Sequence, residues 1–210
     1  MIRVVVVDDE ALVRSAFTLI LNTAPDIQVV ATTTGTEAVA TIRSLRPHVV
    51  LLDIRMPGVD GLTVLRQVQE TADGAGEPPV VAMLTTFDAD EYVLAALHSG
   101  AAGFLLKDTD PENLAQLVRT LAAGGVVMSP TAARTLRGSL PRSCTGRLGD
   151  LPGRDRELLG LIAAGFTNAE IAGRRDEPVA AVKTQVAALL ATLRVSTRVQ
   201  AALLLQETGS

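Results

Sequence analysis

Cysteine occurs once in the 210 residues, at Cys144, so neither an intrachain disulfide nor a cysteine-built zinc cluster can form. Tryptophan is absent, tyrosine occurs once (Tyr92), and phenylalanine only at Phe17, Phe87, Phe104 and Phe166. That leaves no stacking platform for single-stranded nucleic acid. No apolar run approaches the roughly 20 residues that span a bilayer, so no membrane segment is expected. The apolar stretch after Met1-Ile2-Arg3 ends at Asp8-Asp9-Glu10 and is too short for a signal peptide, so the expected location is cytoplasmic. Lysine is scarce too. Of the 19 basic residues only Lys107 and Lys183 are lysine.

What is present is an ordinary globular composition, 48% apolar and 20% charged, on a chain long enough for one or two domains. The net charge of −4 is unevenly spread. Residues 1–130 are strongly acidic, with 16 acidic against 8 basic side chains. Residues 131–150 hold Arg134, Arg137, Arg142 and Arg147 against Asp150, and residues 151–210 are near balance. Gly138, Ser139, Pro141, Ser143, Gly146 and Gly149 punctuate the middle stretch as a linker. The chain therefore divides into a first domain at 1–125, a linker at 126–150 and a second domain at 151–210.

In the first domain short β-branched runs alternate with amphipathic segments. Strands are expected at Ile2–Val7, Ile27–Thr32, Val49–Asp53, Val80–Leu84 and Gly103–Leu106. Helices are expected at about Ala11–Ala24, Thr36–Leu45, Leu62–Thr71, Ala89–Ser99 and Pro111–Ala123. The runs lack apolar/polar alternation, so both faces are buried, as in a parallel sheet covered by helices. The fold class is thus α/β, a five-stranded parallel doubly wound sheet. The second domain has no strand pattern and reads as all-α, with helices at Arg154–Gly165, Asn168–Gly173, Val179–Leu193 and Thr197–Gln206.

The strands end in chemistry. Strand one runs into Asp8-Asp9, strand three ends in Asp53, strand four meets Thr85 and strand five meets Lys107. In a parallel sheet all carboxyl ends share one edge, where such folds bind ligands. Three carboxylates, a hydroxyl and an ammonium therefore converge there. Neighbouring carboxylates repel unless a divalent cation neutralises them, and oxygen ligands without Cys or His suit magnesium (Mg2+) rather than zinc. A carboxylate beside such a cation can attack a phosphoryl group and form an aspartyl-phosphate. Lys107 would neutralise the phosphoryl oxygens and Thr85 would donate to them.

This constellation resembles the flavodoxin-like receiver domain of two-component response regulators. The likeness spans about residues 1–125 and rests on Val7-Asp8-Asp9-Glu10, Asp53-Ile54-Arg55-Met56-Pro57-Gly58-Val59-Asp60-Gly61, Leu84-Thr85 and Gly103-Phe104-Leu105-Leu106-Lys107-Asp108. It implies that Asp53 accepts phosphate from a sensor histidine kinase. It also implies magnesium held by Asp9, Asp8, Asp53 and the backbone carbonyl of Arg55, with Thr85 and Lys107 on the phosphoryl group. Phe104 stands where the family has an aromatic switch that turns inward as Thr85 moves, or it is an ordinary core residue.

Residues 151–205 are similar to the four-helix helix-turn-helix domain of the NarL/FixJ (LuxR-type) regulators. The likeness rests on Leu151-Pro152-Gly153-Arg154-Asp155-Arg156-Glu157, Ile162 to Ala172, Val182-Lys183-Thr184-Gln185-Val186 and Leu193 to Ala201. Thr167 or Asn168 can cap the first helix of the motif, and Pro178 fits the first position of the recognition helix. The resemblance implies binding to double-stranded promoter DNA through Lys183, Thr184, Gln185, Arg194 and Arg198, as a homodimer when phosphorylated. The departures fall on the recognition helix. Ala187 and Ala188 stand where a basic residue is often found, Gln185 where histidine is common, and Thr192 where lysine is usual. Arg175 and Glu177 occupy positions that normally pack apolar side chains. With so few cations, weak DNA binding by a monomer is expected.

The reading is a response regulator that acts as a transcription factor, and its catalysis is limited to its own phosphoryl transfer and slow self-dephosphorylation. One rival is a signalling adaptor whose helical domain binds protein. Another is a small phosphohydrolase, disfavoured because Arg55 occupies the place of the second acid/base two residues after Asp53. His48 and His98 are isolated, Cys144 lies in the linker without a partner, and the linker arginines read as a solvated stretch.

Overall fold

The computed structural model describes residues 1–70, 79–85, 90–128, 132, 151–195 and 197–207. Five strands, β1 (Ile2–Val7), β2 (Ile27–Thr33), β3 (Val49–Asp53), β4 (Val80–Thr85) and β5 (Gly103–Leu106), form one parallel sheet in the order β2-β1-β3-β4-β5. Between them run α1 (Ala11–Asn22), α2 (Gly35–Leu45), α3 (Gly61–Glu70) and α4 (Asp90–His98), and α5 (Pro111–Ala122) follows β5. The α/β expectation holds, the described element ends falling within two residues of those expected, while Thr71 and Ala89 lie outside the described residues.

The strand residues divide between two cores. Val5, Val7, Val50, Leu52, Val81, Met83 and Phe104 face the side that also holds Ala38, Val64 and Ala96 of α2, α3 and α4. Val4, Val6, Val49, Leu51, Ala82, Leu84 and Leu105 face Phe17 and Leu21 of α1 and Leu114, Val118 and Leu121 of α5. Side chains alternate sides along a strand, so a sheet apolar on both faces needs the continuous apolar runs seen in the sequence. Arg119 of α5 clasps Asp26, just before β2, with two bonds of 2.7 and 2.8 Å.

Val127, expected in the linker, forms a parallel bridge with Gly103, and its carbonyl accepts from Phe104 N at 2.9 Å. β5 is the edge strand, and the apolar Val126-Val127-Met128 segment supplies its missing neighbour. Residues 133–150, including Cys144 and the four linker arginines, lie outside the described residues.

The carboxy-terminal region is helical: α6 (Gly153–Ala163), α7 (Asn168–Arg175), α8 (Val179–Leu193) and α9 (Arg198–Glu207). Leu158, Leu159, Ile162, Ile171, Val182, Val186, Leu189, Leu193, Ala201 and Leu204 form its core. Thr167 caps α7 in a reciprocal box with Glu170. Thr197 and Gln200 make the same exchange at the start of α9, each at 3.3 Å. Pro178 does not sit inside α8. It is the N-cap, with an extended backbone at ψ 141°, which its missing N–H tolerates equally.

The helical region touches the carboxy-terminal ends of α4 and α5. Gln200 Nε2 donates to the carbonyl of Leu97 at 2.8 Å, and Asn168 N donates to that of Ala123 at 3.1 Å. Val199 joins the same apolar cluster as Leu97, Ala101 and Phe104.

Candidate functional site

Strand order places β1 beside both β2 and β3, so the chain reverses its direction of growth at the carboxyl ends of β1 and β3, where doubly wound folds open a crevice. Asp8 follows β1 and is completely buried, and its backbone N–H donates to Thr33 O. Asp53 closes β3 and is nearly as buried. Asp9 is exposed at the rim. One oxygen from each of Asp8, Asp9 and Asp53 lies within 4.8 Å of the others. The Asp8 Oδ1 atom is used by the turn, accepting from Glu10 N at 2.9 Å, while Oδ2 is buried and accepts no hydrogen bond. A buried carboxylate oxygen without a hydrogen bond, facing two further carboxylates, is a donor set that fits a hard divalent cation.

Lys107 completes the cluster from the end of β5. Its Nζ lies 2.9 Å from Asp8 Oδ2, 3.1 Å from Asp53 Oδ2 and 3.2 Å from Glu10 Oε1. The first contact is an ion pair without hydrogen-bond alignment. Burial pushes the Asp53 carboxyl up to about 6, helped by the Asp8 charge and opposed by Lys107. Burial pulls the Lys107 ammonium down, yet its close pairing with the Asp8 and Asp53 carboxylates carries it above its ordinary value. The lysine therefore stays charged throughout the neutral range.

Thr85 ends β4 one residue beyond Leu84, the register partner of Asp53, and is buried; its carbonyl accepts from Lys107 N at 3.0 Å. The Arg55 N–H points at Asp53 Oδ1 from 3.4 Å, and its guanidinium lies over the Tyr92 ring of α4 at 5.8 Å. Gly61 is where α3 presses on β3. A Cβ there would collide with the Asp53 carbonyl oxygen, so only glycine permits this approach. Asp8, Asp9, Asp53, Thr85 and Lys107 thus share one edge. Phe104 is fully buried, so its ring already lies inside the core.

On the helical region the expected DNA-contacting residues separate. Lys183 and Thr184 are exposed on α8 beside Ala180, Ala187, Ala188 and Ala191, and Arg194 is exposed just past the helix end. Gln185 is drawn inward. It accepts from Arg175 Nη1 at 3.2 Å and donates to Glu177 Oε2 at 2.5 Å, while Arg154 bonds Glu177 at 2.7 Å. Arg175 and Glu177 thus satisfy each other in the turn where apolar residues were expected. Arg198 is only 8% exposed; it donates to Asn168 Oδ1 at 3.1 Å and to the Phe166 carbonyl at 2.6 Å. Burial holds its guanidinium down at about 10, still charged at neutral pH. Arg198 is a strut inside the domain rather than a surface cation. Arg14, which anchors the β1–α1 turn, carries no signal in the sequence pattern, because its partners are backbone carbonyls.

Comparison with known proteins bears on the whole chain. The family described as response regulator receiver domain matches residues 4–119. The nitrate/nitrite response regulator protein NarL of Escherichia coli (strain K12) is 34% identical over 205 residues, covering 95% of this chain and 92% of that protein. The response regulator protein VraR of Staphylococcus aureus (strain NCTC 8325 / PS 47) is 34% identical over 202 residues, covering 95% and 94%. Among solved structures, the response regulator ChrA of a heme-sensing two-component system is similar with a TM-score of 0.54 and 32% identity, over 99% of this chain and 97% of that one.

Proposed function

This chain belongs to the two-component response regulators of the NarL type, and on that premise we propose that it is a transcription factor switched by phosphorylation of Asp53 by a sensor histidine kinase. The observation that carries the reading is Lys107 Nζ, 2.9 and 3.1 Å from oxygens of Asp8 and Asp53 at the mouth of the acidic cluster.

In the proposed reaction an Asp53 carboxylate oxygen forms a bond to phosphorus as the phosphoryl group's bond to the kinase histidine breaks. Lys107 holds Asp53 Oδ2 and so presents the carboxylate to the incoming group. Thr85 donates its hydroxyl to the phosphoryl oxygens. Asp8, Asp9, Asp53 and the Arg55 carbonyl would hold magnesium, which when bound neutralises charge on the phosphoryl oxygens.

The signal leaves through α4. Phe104, Leu97 and Val199 share one apolar cluster, and Gln200 bonds the Leu97 carbonyl, so a shift of Thr85 and the Phe104 ring would reach α9 through the end of α4. Loosening that packing frees the carboxy-terminal helices to pair with a second copy and to bind double-stranded promoter DNA. On DNA, α8 enters the major groove. Lys183 reaches phosphate or guanine, Arg194 reaches phosphate, and the alanine and threonine face lies against thymine methyl groups. The proposed domain limits are 1–128 for the receiver, extended by the Val127 bridge, and 151–210 for the helix-turn-helix domain.

A second reading, a phosphorylation-dependent adaptor that grips protein through α8, draws on the small uncharged face around Lys183. One experiment separates the possibilities. Incubation with acetyl phosphate and magnesium should add one phosphate by mass, and Asp53→Asn should abolish it. Labelling of that variant overturns the assignment of Asp53. The phosphorylated protein should then retain genomic DNA fragments in a salt-sensitive way; salt-independent indifference to DNA favours the adaptor.

A further inference from the structure

Arg14 lies on the first full turn of α1, half-buried, with its side chain turned back toward β1. Its Nη1 donates to the Asp8 carbonyl at 2.6 Å and to the Asp9 carbonyl at 2.9 Å. These are the two residues whose carboxylates open the acidic cluster. The turn is otherwise held at its two ends, where Asp8 Oδ1 accepts from Glu10 N and Asp8 N donates to Thr33 O, so the Asp9 carbonyl is fixed by Arg14. Glu10, the N-cap of α1, makes no side-chain capping bond, and Asp9 is exposed.

We propose that Arg14 is a positioning residue for cation binding: its guanidinium locks the backbone of Asp8 and Asp9 so that both carboxylates point at one place. The inference rests on the reading of the acidic cluster as a cation site and adds a residue to it. The chemistry of the contact matters. A guanidinium bonded to carboxylate oxygens would compete with the cation, as Lys107 does. Bonded to the carbonyls instead, it takes up none of the carboxylate oxygens of the pair. It also fixes the peptide planes on either side of Asp9, which sets the direction in which the Asp9 side chain leaves the chain. The same guanidinium anchors the start of α1 to the end of β1, so helix and strand hold the turn from both sides.

Charge and geometry predict opposite signs here. A positive charge that merely stood nearby would repel a divalent cation, and removing it would tighten binding. A positioning role predicts weaker binding on removal, because two carboxylates must then be ordered by the cation itself. Groups that orient metal ligands typically account for about tenfold or more in affinity.

The test uses the full chain with Mn2+ as probe, binding being read from loss of the free-ion paramagnetic resonance signal. Arg14→Met should raise the Mn2+ dissociation constant about tenfold, and thermal melting without metal checks that it folds. In acetyl phosphate labelling, the magnesium concentration for half-maximal rate should rise by a similar factor while the maximal rate stays within about twofold. Should Arg14→Met fail to fold, Arg14→Lys, which keeps the charge and loses the fork, is read in the same way. A folded variant that binds Mn2+ as tightly as the parent, or more tightly, overturns the inference alone. A parent chain that binds no Mn2+, or binds it unchanged after Asp9→Asn, overturns the cation site and this inference with it.

Discussion

At the carboxyl edge of the sheet one lysine faces three carboxylates within 3.2 Å, while on α8 the other lysine stands exposed among alanines and threonines. Both regions are proposed to meet phosphate, yet they handle charge in opposite ways. The sheet edge gathers more carboxylates than its one lysine can neutralise and leaves Asp8 Oδ2 without a hydrogen bond. The helical region turns its charges inward: Arg175, Glu177 and Gln185 hold the turn, and Arg198 braces Asn168 and the Phe166 carbonyl. The comparison teaches where specificity can reside. A site for one small charged group needs concentrated, pre-ordered charge. A surface that lies along DNA can work with little charge per copy if copies act in pairs.

The hardest blow to that contrast is a matched pair of substitutions. Lys107→Met leaves Asp8 and Asp53 buried without their cation, and metal-free unfolding in urea should show a loss of about 3 kcal/mol. Magnesium should restore part of that loss, since it offers the same carboxylates a new partner. Lys183→Met should leave stability within about 0.5 kcal/mol. Equal effects from the two would erase the distinction.

Asp53→Asn should act in the opposite direction to Lys107→Met. The folded Asp53 carboxyl sits at about 6, above its ordinary value of 3.8, so ionising it opposes folding. That penalty is absent below about pH 4, grows as pH rises through 6 and is complete above it. Without metal at pH 7 the variant should gain up to about 3 kcal/mol, and the gain should vanish in acid. A pH-independent difference between the two proteins contradicts the burial argument.

A smaller effect is expected where the two regions touch. Gly124 has φ +74°, and a Cβ there would collide with the Asn168 amide and meet Arg198 Nη1 at 3.4 Å. Gly124→Ala should cost about 1 kcal/mol in backbone strain and loosen the contact. Exchange of the Asn168 backbone N–H, which donates to Ala123 O, should then speed up while the Val50 amide deep in β3 stays protected. Unchanged exchange at Asn168 shows that the two regions do not depend on this bond.

Legibility in the sequence followed the same division. β1, β3 and β5 were readable to the residue because a strand buried on both faces must be continuously apolar. The cluster was readable because strand ends in a parallel sheet share an edge whatever the details of packing. Asp8, Asp9, Asp53, Thr85 and Lys107 needed only that rule. Val127 was not readable: a single bridging residue beyond a helix has no period to detect. Nor were the bonds of Gln200, Asn168 and Arg14, because a backbone carbonyl carries no residue signature. Arg175 and Glu177 stood out as charges in an apolar position, but their mutual solution, with Gln185 and Arg154, exists only once the turn has folded.

The finest test of the comparison asks which cations of the helical region still face outward when DNA is bound. Each phosphate neutralised contributes about −0.9 to the slope of log K against log salt. Lys183→Ala and Arg194→Ala, both exposed, should each flatten that slope by about 1 with little change in stability. Arg198→Ala should leave the slope unchanged and lower the unfolding free energy instead, because its guanidinium is bonded within the domain. If Arg198→Ala flattens the slope as Lys183→Ala does, the buried arginine turns outward on DNA. The two regions would then differ only until a ligand arrives.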